Sequence, residues 1–478
     1  MLKNVTKTEV LGRIRFENPW WLHDQIDSRF KSMPHRSYVR QFYKLATNLE
    51  LQRSIVLMGA RRVGKTVLLH QFVQNLLDEG FSAQRILFIT IENPIYNNLS
   101  LEKLFKYGIE ATGAQNQTDH WYVIFDEIQY LKNWDVHLKS IMESYSNIRF
   151  IVSGSATAAL KFKSNESGAG RFTDFMLPPL TFYEFIQMQQ LADRLSLKKQ
   201  STDHFSEQFY TTNNIQELNR HFLHYINYGG FPEAIFSDTV RNDPQQFIRH
   251  DIIDKVLLRD LPSLYGIADV QELYSLFTTI AYNTANEFSL DTLSKKSGIS
   301  KNTIKKDLQY LEAAFLIKIV RRVDQSAKRF QRENAFKIYL ANPSIRTALF
   351  APLEATDTDM GGLVETAIYA QWFHRLDFTP HYARWHNGEV DLVSISKKNL
   401  QPNWALEIKW SDRYAENPAS LKSLLKFCKE HKLAKAYVTT LKWQGVKTHD
   451  TVEFCFVPSA LYAYTAGSNT LDDTNLYL

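Results

Sequence analysis

Two rhythms of apolar and polar residues run along this 478-residue chain. In the first third, short apolar runs recur between polar breaks, at 54–58, 85–91, 121–126 and 149–152, and each reads as a strand. A helix-like run over 67–77 separates the first two, so this region predicts an α/β domain. The rhythm changes after residue 288. One helix is expected over about 290–296, a turn at Gly298, Ser300 as N-cap and a second helix over 301–313. Ile304, Leu308 and Leu311 fall at i, i+4 and i+7 as a buried stripe, and Ile299 with Ile304 forms a hydrophobic staple across the cap. Asn302, Lys305, Lys306 and Gln309 then share the opposite, solvent face. Beyond 363 the pattern predicts a helix, strands at 382–385, 388–391 and 404–409, a helix at 419–430 and a strand at 434–439.

Between the first strand and the first helix lies Gly59-Ala60-Arg61-Arg62-Val63-Gly64-Lys65-Thr66, followed by Val67, with the G-x-x-x-x-G-K-[ST] spacing of a phosphate loop. Such glycines let backbone N–H groups wrap phosphates at a helix N-terminus. Lys65 can reach the β and γ phosphates, and the Thr66 hydroxyl suits a Mg²⁺ ligand. The expected cofactors are therefore ATP and Mg²⁺. The 121–126 strand delivers Asp126 and Glu127 at its C-terminal edge, about sixty residues after Lys65. There Asp126 would hold the metal's hydration shell and Glu127 would orient the attacking water. The 149–152 strand ends in Ser153-Gly154-Ser155, which places Ser153 as a γ-phosphate sensor or as a plain strand-end turn. Arg171 closes a polar loop over 164–171, suited equally to completing a neighbouring subunit's active site in a homo-oligomer or to a structural salt bridge.

Composition narrows the class. With 44% hydrophobic and 13% aromatic residues the chain supports packed domains rather than disorder, and its length calls for more than one. The only cysteines, Cys428 and Cys455, make neither a C-x-x-C pair nor a disulfide framework. No export signal or apolar run of membrane length is visible, so a cytoplasmic location without a membrane partner is expected. The net charge of +5 is concentrated: from Lys295 to Arg332 eleven Lys or Arg face three acidic residues, a local +8. That balance points to nucleic acid, with DNA the expected partner, or to a solvated face. Arg321 and Arg322 on the following strand, and Lys328, Arg329 and Arg332 beyond it, are the candidate phosphate contacts.

The last third carries Glu365, then Asp391, then Glu407-Ile408-Lys409. Strand alternation puts Glu407 and Lys409 on one face, able to meet Asp391 from the neighbouring hairpin strand. Two carboxylates suit Mg²⁺, and a lysine beside them can orient or help deprotonate water. An Asp-x(10–20)-Glu-x-Lys match arises roughly once by chance in a chain this long, so the helix and strand order around it carries the signal.

Taken together, GARRVGKTVLLHQ, VIFDEIQ, SGS, GR before LPPLTFYEF, and Gly229-Gly230-Phe231-Pro232-Glu233 resemble the prokaryotic AAA-type ATPases that carry a winged helix and a restriction-endonuclease-like C-terminal domain. The C-terminal constellation resembles the PD-(D/E)XK nuclease core, with Glu365 matching the extra acidic metal ligand of many members. The resemblance implies that Pro232 contacts the adenine or stabilises a closed lid. It also suggests that Asn18-Pro19-Trp20-Trp21 and residues 38–42 flank the nucleotide, an aromatic core staple being the other reading. The implied organisation is an N-terminal extension (1–50), a P-loop ATPase core (51–190), a helical lid (191–265), a winged helix-turn-helix (266–350), a hinge (351–362), the nuclease-like α/β domain (363–465) and a mobile tail (466–478). The expected function is an ATPase that controls a metal-dependent, nucleic-acid-directed nuclease. The alternative is a nucleotide-switched regulator whose C-terminal domain docks without cutting.

Overall fold

The structure is a computed structural model that describes residues 5–113, 120–155, 170–202, 205–243, 245–324, 335–375 and 378–472. Lys328, Arg329 and Arg332, most of the 164–171 loop and the final residues 473–478 lie outside the described residues. The chain divides into two compact units, Met1–Pro178 and Pro179–Leu476.

In the first unit five strands, β1 (Ser54–Gly59), β2 (Ile86–Thr90), β3 (Trp121–Asp126), β4 (Ile148–Ser155) and β5 (Phe172–Met176), form a parallel sheet in the order β2-β3-β4-β1-β5. The first and third are buried at every position, which is why they read as unbroken apolar runs. Because β4 lies between β1 and β3, the strand carrying Ser153 separates the phosphate-loop strand from the Asp126 strand. β2 is an edge, and the N-terminal segment covers it. Asn18 donates to the Phe88 carbonyl and accepts from the Phe88 N–H, both at 2.7 Å, while the Trp20 and Trp21 indoles donate to the Ile86 carbonyl. This satisfies backbone groups that an open edge would expose. Tyr38 and Phe42 pack edge-on against Phe175, and Phe42 against Phe72. Of the two readings of these aromatic segments, core packing is the one whose contacts are seen.

In the second unit β6 (Lys198–Thr202) and β7 (Phe205–Thr211) pair as a two-stranded sheet of their own beside a larger mixed sheet. The members of that sheet are β8 (Glu287–Phe288), β9 (Ile317–Val323), β10 (Phe336–Leu340), β11 (His381–Trp385), β12 (Gly388–Ile395), β13 (Pro402–Glu407), β14 (Lys435–Thr440), β15 (Gly445–His449) and β16 (Val452–Pro458). Their order is β15-β16-β14-β13-β12-β11-β9-β10-β8. β9 pairs in parallel with β11, His381 opposite Arg321, so one sheet runs through both regions that the composition of 351–362 separates. Strand pairing across sixty residues leaves no mark on local composition, which is why a hinge is expected there and one sheet is found.

The ends of this unit also differ from the sequence expectation. Residues 179–190, grouped with the ATPase core by sequence, belong to the second unit: Thr181 caps the Phe182–Met188 helix, and Phe182 lies against Phe222 and Tyr225. Residues 466–472, expected as part of a tail, continue a helix over Ser459–Asp472 with Ala463, Tyr464 and Ala466 buried. Their Gly, Ser and Asn content suggests mobility. In the fold, however, a Cβ at Gly467 would lie 3.1 Å from both the Thr181 Cβ and the Gln371 Oε1, so the glycine permits a close approach between packed elements.

Residues 289–323 form the helix-turn-helix and strand that the sequence predicts. Helices Leu290–Ser297 and Lys301–Ala313 flank left-handed Gly298, and Ser300 accepts from the Thr303 N–H at 3.2 Å. Ile304, Leu308 and Leu311 are buried, whereas Asn302, Lys305, Lys306 and Gln309 are exposed.

Candidate functional site

Two centres of charged side chains stand out, one in each unit. In the first, Gly59 ends β1 where a Cβ would lie 2.2 Å from the Leu177 carbonyl oxygen, so no larger residue fits. Gly64 takes a φ of 97° just before the Lys65–Asp78 helix, a left-handed turn that leads the chain into the helix. No side chain caps that helix, so its first N–H groups are available to an anion. Lys65 is buried, its ammonium donating to the carbonyls of Gly59 at 3.2 Å and Ala60 at 3.0 Å. Arg61 donates to the Tyr130 hydroxyl at 3.1 Å, Arg62 is exposed with a φ of 63°, and Val67 is half-buried on the first helical turn.

The fully buried Asp126 gathers this centre. Thr66 donates to its Oδ2 at 2.7 Å and Ser153 to its Oδ1. Burial, then the neighbouring Glu127 charge, pushes its carboxyl up to about 6 despite these hydroxyls and Lys65. A carboxylate destabilised by burial and contacted by neutral hydroxyls is a donor set that suits a hard divalent cation, so these residues fit Mg²⁺. Glu127 is held by Gln129, and its backbone N–H donates to the Ser153 hydroxyl at 3.3 Å. Sequence reasoning missed Arg36, whose buried guanidinium donates to the carbonyls of Val63 at 2.8 Å and Pro178 at 3.0 Å and so braces the loop from behind. A lone arginine before a helix gives no local signal of that role. Arg171 pairs with Glu143 inside the same unit, the salt-bridge alternative for this residue. Pro232 belongs to the second unit, where it opens the short helix Pro232–Phe236.

In the second unit Asp391 on β12 and Glu407 at the end of β13 converge on Lys409, whose ammonium lies 3.2 Å from Asp391 and 2.8 Å from Glu407. The Ile408 N–H also donates to Asp391 at 2.7 Å. Burial works against ionised Asp391, but the Lys409 and Lys337 charges and this N–H outweigh it and hold the carboxyl below its usual range. Glu407 goes the other way: burial and the Asp391 charge push it up to about 7, against Lys409. Its Oε2 is buried with no hydrogen-bond partner among the described residues, an orphaned acceptor that a divalent cation would satisfy.

Glu365, from the Met360–Trp372 helix, is turned to a different partner. Its Oε1 accepts from Lys337 at 2.8 Å and from the Tyr339 hydroxyl at 2.6 Å. Lys337 also meets Glu389 at 2.6 Å. Burial disfavours its charge, yet Glu365, Asp391 and Glu389 hold the ammonium well above its ordinary range. Lys337 is invisible to motif reading because no spacing rule links residue 337 to this centre, whereas Glu389, two residues before Asp391 on the same strand, shares its face. Among the described residues no group of three or more His, Cys, Asp or Glu is arranged to hold a metal ion, which leaves Asp391 and Glu407 as a pair.

On the strand after the second helix, Arg321 is exposed, whereas Arg322 turns inward, donating to the Arg384 carbonyl at 3.1 Å. The exposed set that remains is Asn302, Lys305, Lys306, Gln309 and Arg321.

Residues 51–186 match the family described as "AAA domain", and residues 219–358 match "Domain of unknown function (DUF8612)". An uncharacterized protein of Haemophilus influenzae is 25% identical over 297 residues, 61% of this chain and 68% of its own. An uncharacterized protein of Methanocaldococcus jannaschii is 25% identical over 347 residues, 71% of each chain. Among solved structures, the Aeropyrum pernix ORC1 protein in complex with DNA aligns over 66% of this chain and 92% of its own, at 11% identity and a TM-score of 0.31, too slight a likeness to bear on function. Among the described residues no helix is long and apolar enough to cross a membrane.

Proposed function

Proceeding from a P-loop AAA-type domain at residues 51–186, we propose that this chain binds and hydrolyses ATP with Mg²⁺ and that the cycle controls a metal-dependent, nucleic-acid-directed cleavage centre at Asp391, Glu407 and Lys409. The observation that carries the first part is the convergence of Thr66 and Ser153 on buried Asp126 beside an uncapped helix that begins at Lys65. The loop from Gly59 to Val67 would hold the phosphates, with Thr66 and Asp126 holding the ion. Mg²⁺ would supply charge neutralisation on the phosphates. Lys65 leaves the Gly59 and Ala60 carbonyls for the more negative phosphate oxygens, Glu127 orients water, and Ser153 keeps Asp126 and the Glu127 backbone in register. Pro232 is assigned to the adenine or the lid by resemblance, and Arg171 to its pair with Glu143 unless a neighbouring subunit recruits it.

In the second unit Asp391 and Glu407 would hold a divalent cation, which would activate water and stabilise charge on a phosphodiester. Lys409, already between them as an ammonium, would orient that water and stabilise the negative charge that forms on it. The exposed face of Asn302, Lys305, Lys306, Gln309 and Arg321 would engage DNA phosphates.

One observation favours the nucleotide-switched, non-cleaving alternative: Lys409 pairs with both carboxylates, so part of the centre's negative charge is offset without a metal. The deciding experiment incubates the purified chain with Mg²⁺ or Mn²⁺, with and without ATP, on linear and circular duplex DNA, single-stranded DNA and RNA, beside an ATPase assay. Metal-dependent cleavage lost in Asp391→Ala supports the nuclease. Hydrolysis of ATP with no cleavage under any condition supports the switch.

A further inference from the structure

Lys337 is the least expected member of the second centre. It lies on β10, in the stretch that the sequence assigns to the helix-turn-helix region, yet its ammonium ends among acids from a helix and a strand of the C-terminal region. Its side chain is 4% exposed. Lys337 and Tyr339 are two apart on one strand and so point to the same face, where both engage Glu365. Glu389 is bound from two sides, by Lys337 at 2.6 Å and by Arg384 at 3.3 Å.

The four carboxylates of this neighbourhood therefore divide into two pairs. Glu365 and Glu389 are drawn to Lys337. Asp391 and Glu407 face Lys409, and only Glu407 keeps a buried oxygen without a partner. A divalent ion between Glu365 and Glu389 would have to expel an ammonium that both carboxylates hold, or sit beside it against its charge. Centres that use two ions place them roughly 3.5–4 Å apart to clamp both oxygens of the displacement. Lys409 also lies between its pair, but there Glu407 keeps a buried oxygen that no partner takes, whereas the Glu365 and Glu389 pocket offers its fixed positive charge and, among the described residues, no such orphaned oxygen.

We infer that Lys337 is a resident cation: it withdraws Glu365 and Glu389 from coordination, so that this centre takes one divalent ion, on Asp391 and Glu407. Glu365 is thus a counter-ion and not a metal ligand. The inference rests on the reading of Asp391 and Glu407 as a cation site.

The test counts ions and needs no turnover. Mn²⁺ is titrated into the full-length, nucleotide-free chain by calorimetry, with free ion followed by electron paramagnetic resonance. Wild type should bind one ion at this centre, lost in Asp391→Ala. Lys337→Met should bind two, because Glu365 and Glu389 become available. Glu365→Gln should keep one ion at essentially the wild-type affinity, whereas loss of a true ligand would weaken binding by more than about tenfold. A folded Lys337→Met that still takes one ion, or a tenfold loss in Glu365→Gln, overturns the inference and leaves the cation site standing. If Lys337→Met does not fold, Glu365→Gln decides alone. An absent ion in wild type, or one that survives Asp391→Ala, sinks the cation-site reading and this inference together.

Discussion

Two buried aspartates, Asp126 and Asp391, meet the cost of burying a carboxylate in opposite ways. Asp126 is contacted by hydroxyls, from Thr66 and Ser153, and its carboxyl is pushed up to about 6. Asp391 receives the Lys409 ammonium and the Ile408 N–H, and its carboxyl is held below the usual range. Hydroxyl dipoles soften the desolvation of an anion but do not cancel its charge, whereas an ammonium 3.2 Å away does both. The first centre is thus left short of positive charge, which an arriving cation supplies. At the second, Asp391 has its counter-charge within the chain, while Glu407 stays raised to about 7.

The largest effect expected from this contrast is on turnover. Lys65→Ala should abolish ATP hydrolysis and greatly weaken binding, since Lys65 is the loop's buried cation. Glu127→Gln should leave binding largely intact while slowing hydrolysis by at least about a hundredfold, the order of loss for a group acting at the transition state. Fluorescent-nucleotide binding and phosphate release, measured on the same preparations, separate the two. A Glu127→Gln chain that hydrolyses ATP at the wild-type rate would remove Glu127 from the chemistry.

Stability should separate two lysines, one from each centre. Lys65 leans on backbone carbonyls, so Lys65→Ala should cost about 1.5 kcal/mol. Lys409→Met strands Asp391 and Glu407 together, and should destabilise the second unit by about 3 kcal/mol, as breaking one side of a buried ion pair does. Urea melts at pH 8 would compare them, and equal losses would erase the contrast.

A third measurement concerns the exposed cations. Replacing Lys305, Lys306 and Arg321 with Ala should reduce the salt slope of duplex DNA binding by about 0.9 for each phosphate contact removed, with the fold unchanged. An unaltered slope would make this face a solvated surface.

The last measurement isolates a group shifted chiefly by burial. His70, stacked between Phe30 and Phe88 with an unbonded Nδ1, is pushed down to about 4, chiefly by burial. The unfolded chain takes up the proton more readily, near pH 6.5, so this contribution to stability is complete above 6.5 and is lost progressively as pH falls toward 4. His70→Phe should flatten that part of the melting-temperature profile relative to wild type. A variant whose profile keeps the same slope would show that His70 is protonated in the folded state as easily as in the unfolded one.

The sequence by itself determined whatever depends on residues close in the chain. The G-x-x-x-x-G-K-[ST] spacing, the strand that ends at Asp126, the Ser300 cap and the Ile304, Leu308 and Leu311 stripe are written in short local periods, and the elements appear where those periods put them. The convergence of Asp391, Glu407 and Lys409 was also legible, since strand alternation fixes which side chains share a face. Only the tertiary structure decided the rest. That β4 lies between β1 and β3, bringing Ser153 to Asp126, is a matter of strand order. That β9 joins β11 across the 351–362 stretch, and that Lys337 meets Glu365 and Glu389, depends on pairing between strands far apart in sequence. Burial makes such partners decisive, because a charge taken out of water is governed by what lies within a few ångströms, and distance along the chain carries no record of that.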